Sequence, residues 1–257
     1  MADLDNDGAP DVVTVHWFWP KKVSVILNDG SGGFGRPVYY DTQESSWDLE
    51  VTDLNGDLFL DVVVANTGSV WSGTTVSVLI NQGDGTFAPR QDYAAVLGPV
   101  GITAADFDDD GDNDVVVANY ERLGLGNQVA LLLNDGNGVL AAPQLFTVGP
   151  GPYKLASGDL NGDGLPDLAA ARDGRRLAIL LNTGGAFGPV TEYVTGEIPW
   201  AGDAFPCVSI ADVDHDLSPD VLYSSTHTQL DIDVGAVALF RNQGGIKVEI
   251  AASVLAR

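Results

Sequence analysis

The stretch DLNGDGLPD (Asp159 to Asp167), running directly into LAAAR (Leu168 to Arg172), decides how the chain is read. Oxygen side chains occupy positions 1, 3, 5 and 9 of nine residues, with glycine at positions 4 and 6. Glycine and asparagine favour a tight turn, and the apolar run that follows has the length of a buried strand. The pattern recurs as DLDNDGAPD (Asp3 to Asp11), DLNGDLFLD (Asp53 to Asp61), DFDDDGDND (Asp106 to Asp114) and DVDHDLSPD (Asp212 to Asp220). The first aspartates stand at 3, 53, 106, 159 and 212, a spacing of 50 residues once and 53 thereafter.

Each acidic loop sits in the same surroundings. LEVT, GITAA, KLASG or VSIA leads in, and DVVTV, DVVVAN or DLAAA leads out. A further run follows, VSVILN, VSVLIN, VALLLN, LAILLN or VALFRN, and closes on Asn28, Asn81, Asn134, Asn182 or Asn242. A Gly-rich turn such as DGSGGF or QGDGTF then precedes a last short stretch such as PVYYD. Runs of four to six residues bounded by glycine and asparagine are strands, so each period encodes four. Four strands per 40–50 residues is the count for one propeller blade. The expected fold is therefore all-β, a β-propeller of about five four-stranded antiparallel blades. An elongated array of antiparallel sheets is the alternative. The repeat units fall at approximately 1–47, 48–100, 101–153, 154–206 and 207–257 of a single domain, residues 1–257. Only Met1 and Ala2 precede the first loop, where the other repeats carry a full strand. Either the ring closes imperfectly with five blades or the chain is a segment of a longer propeller.

Composition narrows the function. With 45% hydrophobic residues the chain can bury a large core, and 31 glycines with 13 prolines suit many turns. No apolar run approaches the roughly 18–20 residues of a membrane span, and no signal segment opens the sequence, so membrane insertion is not expected. A net charge of −24, from 12 bases and 36 acids, repels a phosphate backbone, so nucleic acid is not an expected partner. Cys207 is the sole cysteine, which excludes an internal disulfide framework and a thiolate zinc site.

The loops read as metal sites. A hard cation such as calcium takes six to eight oxygens, and a short loop coiled around it can supply alternate side chains plus a backbone carbonyl. The expected ligands are Asp3, Asp5, Asp7, Ala9 and Asp11 in the first loop, and Asp53, Asn55, Asp57, Phe59 and Asp61 in the second. The third offers Asp106, Asp108, Asp110, Asp112 and Asp114, the fourth Asp159, Asn161, Asp163, Leu165 and Asp167, the fifth Asp212, Asp214, Asp216, Ser218 and Asp220. Position 7 (Ala9, Phe59, Asp112, Leu165, Ser218) would contribute its carbonyl. Eighteen of the 36 acids stand at positions 1, 3, 5 and 9 of these loops, leaving a modest acid excess elsewhere. Up to five Ca2+ ions are expected. Position 6 calls for positive φ and is glycine in three loops, but Leu58 and Leu217 occupy it in the second and fifth, where a leucine costs about 1–2 kcal/mol. Those two sites should be weaker.

On DLNGDGLPD with DLAAA, and on VSVLINQGDGTF, the chain resembles the FG-GAP or VCBS repeat family, the integrin-α-like propellers. The resemblance implies calcium between the first and second strands of each blade. It also implies extracellular or cell-surface recognition and adhesion as the commonest use, with lectins and non-catalytic parts of polysaccharide-active enzymes as further uses.

In a four-stranded blade the metal loops and Gly-rich turns share one face, and the other two connections share the opposite face. That opposite face carries the sequence variation and, with its junctions, all five tryptophans, Trp17, Trp19, Trp47, Trp71 and Trp200. Loop aromatics on a rigid scaffold suit sugar rings or a polypeptide. The candidate ligand-binding residues are Trp17, Trp19, Trp71, Tyr120, Arg122, Arg175, Arg176 and Trp200, for a protein or carbohydrate partner. Trp47, aligned with Tyr153, reads instead as a loop anchor. A glycosidase would need two carboxylates about 5–10 Å apart. Asp41, Glu44, Asp48, Glu50, Glu197 and Asp203 are near enough to the variable face, but none sits in a motif that recommends it. His16, His215 and His227 form no Ser/His/Asp pattern. The reading is a recognition or adhesion module, with a lectin and then a polysaccharide-active enzyme or accessory domain as alternatives.

Overall fold

A computed structural model describes residues 2–17, 21–121, 126–194, 206–229, 232–242 and 249–255. The apolar runs form antiparallel sheets in chain order. The first sheet has three strands, β1 (Val12–Val15), β2 (Lys22–Ile26) and β3 (Val38–Asp41). The second contains β4 (Asp48–Thr52), β5 (Asp61–Asn66), β6 (Thr75–Leu79) and β7 (Gln91–Ala94). The third contains β8 (Pro99–Ala105), β9 (Asp114–Asn119), β10 (Gln128–Leu132) and β11 (Gln144–Thr147). The fourth contains β12 (Pro152–Gly158), β13 (Asp167–Arg172), β14 (Arg176–Leu180) and β15 (Thr191–Val194). The fifth contains β16 (Cys207–Ala211), β17 (Asp220–Gln229), β18 (Ile232–Arg241) and β19 (Glu249–Leu255). Each sheet is an up-and-down meander, and the helix content of the described residues is one 3-10 turn, Ser69–Trp71.

Register repeats with the sequence. The rung that closes each acidic loop pairs Thr52 with Asp61, Ala105 with Asp114, Gly158 with Asp167 and Ala211 with Asp220. Ala2 and Asp11 form the same rung as an isolated bridge, the one trace of a fourth strand in the first sheet among the described residues.

Consecutive sheets stack face to face, and the core lies between them. Val62 and Val64 of β5 pack on Val23 and Val25 of the first sheet and on Leu4 of its acidic loop, while Val63 turns toward Val115, Val117 and Leu132 of the third. Val116, Ala118 and Leu131 pack on Leu168, Ala170 and Leu180 of the fourth. Ala169, Ala171 and Ile179 meet Val221, Tyr223 and Phe240 of the fifth. Strands β5, β9 and β13 are buried at every residue, which is why they lack polar alternation. Each fully buried valine or leucine contributes about 1.5–3 kcal/mol. In the second, third and fourth sheets the residue ending the Gly-rich turn, Phe87, Leu140 or Phe187, wedges against the preceding sheet and is 5–8% exposed, whereas Phe34 of the first is 56% exposed. A closed propeller is not found. The structure establishes the all-β stack of antiparallel sheets, and the number of blades in a ring does not follow from it.

Candidate metal centre

The five loops share one hydrogen-bond scaffold, built on their carboxylates. The position-9 aspartates, Asp11, Asp61, Asp114, Asp167 and Asp220, are all fully buried. In each, Oδ2 accepts the amide of the second loop residue, at 2.8 Å from Leu4, 2.9 Å from Leu54, 3.0 Å from Phe107, 2.9 Å from Leu160 and 3.2 Å from Val213. Oδ1 accepts the amide of the strand-closing asparagine, Asn28, Asn81, Asn134, Asn182 or Asn242, at 2.7–2.8 Å. The position-1 aspartates accept the position-6 amides at 2.8–3.0 Å. The position-5 aspartates accept the position-7 amides at 2.8–3.0 Å, which fixes the residues expected to offer a carbonyl.

To coil this tightly the backbone enters the left-handed region twice. Position 6 has positive φ throughout: 88° at Gly8, 69° at Leu58, 97° at Gly111, 91° at Gly164 and 72° at Leu217. Leu58 and Leu217 are 82% and 91% exposed, so no packing offsets their strain. Position 4 is left-handed too, at Asn6, Gly56, Asp109, Gly162 and His215. Asparagine, aspartate, histidine and glycine are the types enriched there, a signal already present in the sequence. His215 is thus a turn residue.

The scaffold aims several oxygens at one point. Ligand atoms of Asp3, Asp5 and Asp11 lie within 4.8 Å of one another, as do those of Asp106, Asp108 and Asp114, and of Asp212, Asp214 and Asp220. These are positions 1, 3 and 9. In the second and fourth loops position 3 is Asn55 or Asn161, whose amide donates to Asp57 or Asp163 at 2.9 Å. Asp3 Oδ1 and Asp108 Oδ1 are buried with no hydrogen-bond partner. Leaving a buried carboxylate oxygen unpaired costs several kcal/mol unless a cation meets it, so the donor set fits a hard metal. Burial pushes the Asp61 and Asp114 carboxyls up to about 6, with neighbouring loop aspartates adding repulsion. Asp5, Asp108 and Asp167 are raised for the same leading reason, desolvation. A divalent cation would relieve both burdens.

The strand-closing asparagines have a role that the sequence reading missed. The Asn81 amide nitrogen donates to the Leu4 carbonyl of the preceding loop at 2.8 Å, Asn134 to Leu54 at 2.7 Å, Asn182 to Phe107 at 2.8 Å and Asn242 to Leu160 at 2.6 Å. Each asparagine therefore latches its sheet onto the neighbouring acidic loop. Its recurrence at the end of the third strand was the available signal.

Of the candidate ligand-binding residues, Trp19, Arg122 and Trp200 lie outside the described residues. Trp17, Trp71 and Tyr120 are brought together with Trp47 and Tyr153. Trp17 meets Trp47 edge-on at 4.3 Å and Trp71 at 5.2 Å, while Tyr120 packs on Trp71 at 5.1 Å and on Tyr153 at 5.3 Å between ring centroids. The tyrosines are buried and the tryptophans half-buried. Arg175 and Arg176 stand apart from this cluster in sequence, at the β13–β14 turn. Arg176 and the buried Arg172 both bond Glu192, beside a cavity of about 470 Å3 that Asp173 and Pro150 also line. The two guanidinium groups hold the Glu192 carboxyl below its usual range.

Among solved structures, the Bap1 biofilm matrix protein of V. cholerae is similar at TM-score 0.51 and 18% identity, over 99% of this chain and 38% of that one. The Photorhabdus luminescens Tc holotoxin pore is similar at TM-score 0.49 and 18% identity, over 98% of this chain and 12% of that one. The chain thus spans well under half the length of either. No curated protein is matched by the sequence. The FG-GAP-like repeat is matched at residues 3–64, 53–117, 106–170 and 159–223, each match running from one acidic loop through the next, and the chain belongs to that repeat family.

Proposed function

We propose that this chain is a calcium-binding β-propeller module of recognition or adhesion, working outside the cell, in which calcium is structural. The carrying observation is the acidic loop repeated with one scaffold, whose position-1, -3 and -9 carboxylates converge in the first, third and fifth loops while Asp3 Oδ1 and Asp108 Oδ1 stay buried and unpartnered. Bound there, calcium supplies charge neutralisation. The chain's own residues supply the cradle: position-1 and position-5 aspartates fix the turn, and position 9 ties it to the sheet. The second-residue carbonyls pass that order to the next sheet through the asparagine latch.

Membership of the FG-GAP-like family supports a recognition role, and a biofilm matrix protein of similar fold is consistent with adhesion and an extracellular setting. The partner, a protein or a carbohydrate, would meet the variable face. There Trp17, Trp47 and Trp71 pack edge-on or tilted against one another, so a ligand would meet part-covered rings rather than free platforms.

Thermal melts with calcium, magnesium or chelator test the metal. Each site held at a hundred times its dissociation constant adds about 2.7 kcal/mol, so three loaded sites should raise the melting temperature by roughly 15 °C or more. An unchanged melting temperature would remove the structural-calcium reading. A glycan array probed with and without calcium then separates carbohydrate from protein recognition.

A further inference from the structure

Strands β5, β9 and β13 are equivalent, yet the residue that ends them changes, and in the fourth sheet the change creates a polar cavity. β5 and β9 end on asparagines that bond close to home: the Asn66 amide donates to Ser77 Oγ at 2.8 Å, and Asn119 Oδ1 accepts the Asn127 amide at 3.2 Å. β13 ends on Arg172, which is 2% exposed. Its Nη1 donates to Glu192 Oε2 on β15 at 2.6 Å, and its Nε to the Pro150 carbonyl at 3.3 Å. Gly149 makes room for it. One repeat earlier its place is held by the buried Val96, and any Cβ at Gly149 would run into the guanidinium. The turn from β13 to β14 is also short, three residues where eight join β9 to β10, too short to fold back over the space.

The cavity, of about 470 Å3, lies between the third and fourth sheets, and its size is that of a small-molecule site. The charged groups among its described lining are two bases, Arg172 and Arg176, and two acids, Asp173 and Glu192. Glu192 is held from two sides, Oε2 by Arg172 and Oε1 by Arg176, so its carboxylate is fixed in orientation before any ligand arrives. Those bonds also keep it ionised at neutral pH. Each carboxylate oxygen retains a second lone pair, and the half-exposed Arg176 has more N–H groups than its bond to Glu192 uses.

Charge balance selects the ligand. An anion would have to approach a chain of net charge −24, and a cation would have to sit beside two guanidinium groups. A hydroxyl suits both partners, accepting from Arg176 and donating to Glu192. Val148, Pro150 and Val190 supply apolar surface for the C–H face of a ring. We propose that this cavity binds a neutral saccharide, with Glu192 and Arg176 meeting its hydroxyls and Arg172 positioning Glu192. The proposal rests on the recognition reading above and places the sugar here rather than on the part-covered Trp17 and Trp71.

Amide NMR of the calcium-loaded chain tests it. The probes are the methyl glycosides of glucose, galactose, mannose, fucose and N-acetylglucosamine, each added to about 20 mM, enough to load a site of millimolar affinity. At least one should shift the Gly149, Asp173 and Glu192 amides saturably. Its dissociation constant should rise at least tenfold in Glu192→Gln and in Arg176→Ala and stay unchanged in Trp17→Ala; the wild-type shift map stands by itself if a variant proves unstable. Shifts centred on Trp17 and Tyr120, or full affinity in both cavity variants, would overturn this site and leave carbohydrate recognition standing. No saturable shift with any probe would overturn the saccharide assignment and leave a protein partner for the recognition reading. Tighter binding of methyl glucuronide than of methyl glucoside at the same amides would refute the charge-balance argument.

Discussion

Replacing Asn134 by alanine should cost far more than the same change at Asn28, although both follow the equivalent strand of their repeats, β10 and β2. The Asn134 amide is 6% exposed and donates to the Leu54 carbonyl at 2.7 Å and the Asn113 carbonyl at 3.0 Å. Losing two bonds of about 1 kcal/mol each, and leaving buried carbonyls unpaired, points to about 3–4 kcal/mol. Its own Oδ1 is buried without a partner, so removing that atom returns part of the loss. The net expectation is about 2–3 kcal/mol, or roughly 5–10 °C in melting temperature for a chain of this length. Asn28 donates across 3.1 Å to Pro10 from a part-exposed site, so its loss should cost only about 0.5 kcal/mol. Urea unfolding of both variants, saturated with calcium, measures the difference. Equal losses within about 0.5 kcal/mol would refute the latch between sheets as a source of stability.

Leu58→Gly and Leu217→Gly should each stabilise the calcium-saturated protein by up to about 1 kcal/mol. The change relieves a left-handed leucine whose side chain packs on nothing, less the added freedom of glycine in the unfolded chain; a fall in stability would contradict the strain reading. In chelator, Asp61 and Asp114 titrate near 6, above the unfolded carboxyl value, so the stability tied to their protonated forms is present at low pH and lost as pH rises through 6. Metal-free melts at pH 5 should therefore exceed those at pH 8, with the order reversed in calcium because protons compete for the same oxygens. Asp114→Asn should remove one calcium site in a titration, yet lower the melting temperature in chelator at pH 8 far less than in calcium. A similar loss under both conditions would mean that the carboxylate serves packing rather than metal.

Much of this arrangement was legible because the constraints are local. A turn that must be left-handed and oxygen-lined selects aspartate, asparagine and glycine at fixed positions, as in Asp159 to Asp167. Strands buried on both faces select runs such as DVVVAN. The position-4 conformation is equally local, written in Asn6, Gly56, Asp109, Gly162 and His215. What stayed hidden depends on contacts between repeats. Nothing in Asn134 reveals that its amide reaches a loop 80 residues earlier. Nor does a tryptophan's place in a variable loop tell whether its ring will face a ligand or, like Trp17, another tryptophan.

By itself the sequence determined the period, the all-β class, the four strands of most repeats, the shortened first sheet and the oxygen-rich loops. Each follows from backbone geometry and residue chemistry within about fifty residues. Only the tertiary structure decided which face of each sheet meets its neighbour and where the asparagines latch. It alone showed the aromatic side chains packed together and Arg172 buried against Pro150. Those outcomes depend on how much of a residue an adjoining sheet covers, and that is a property of the stack.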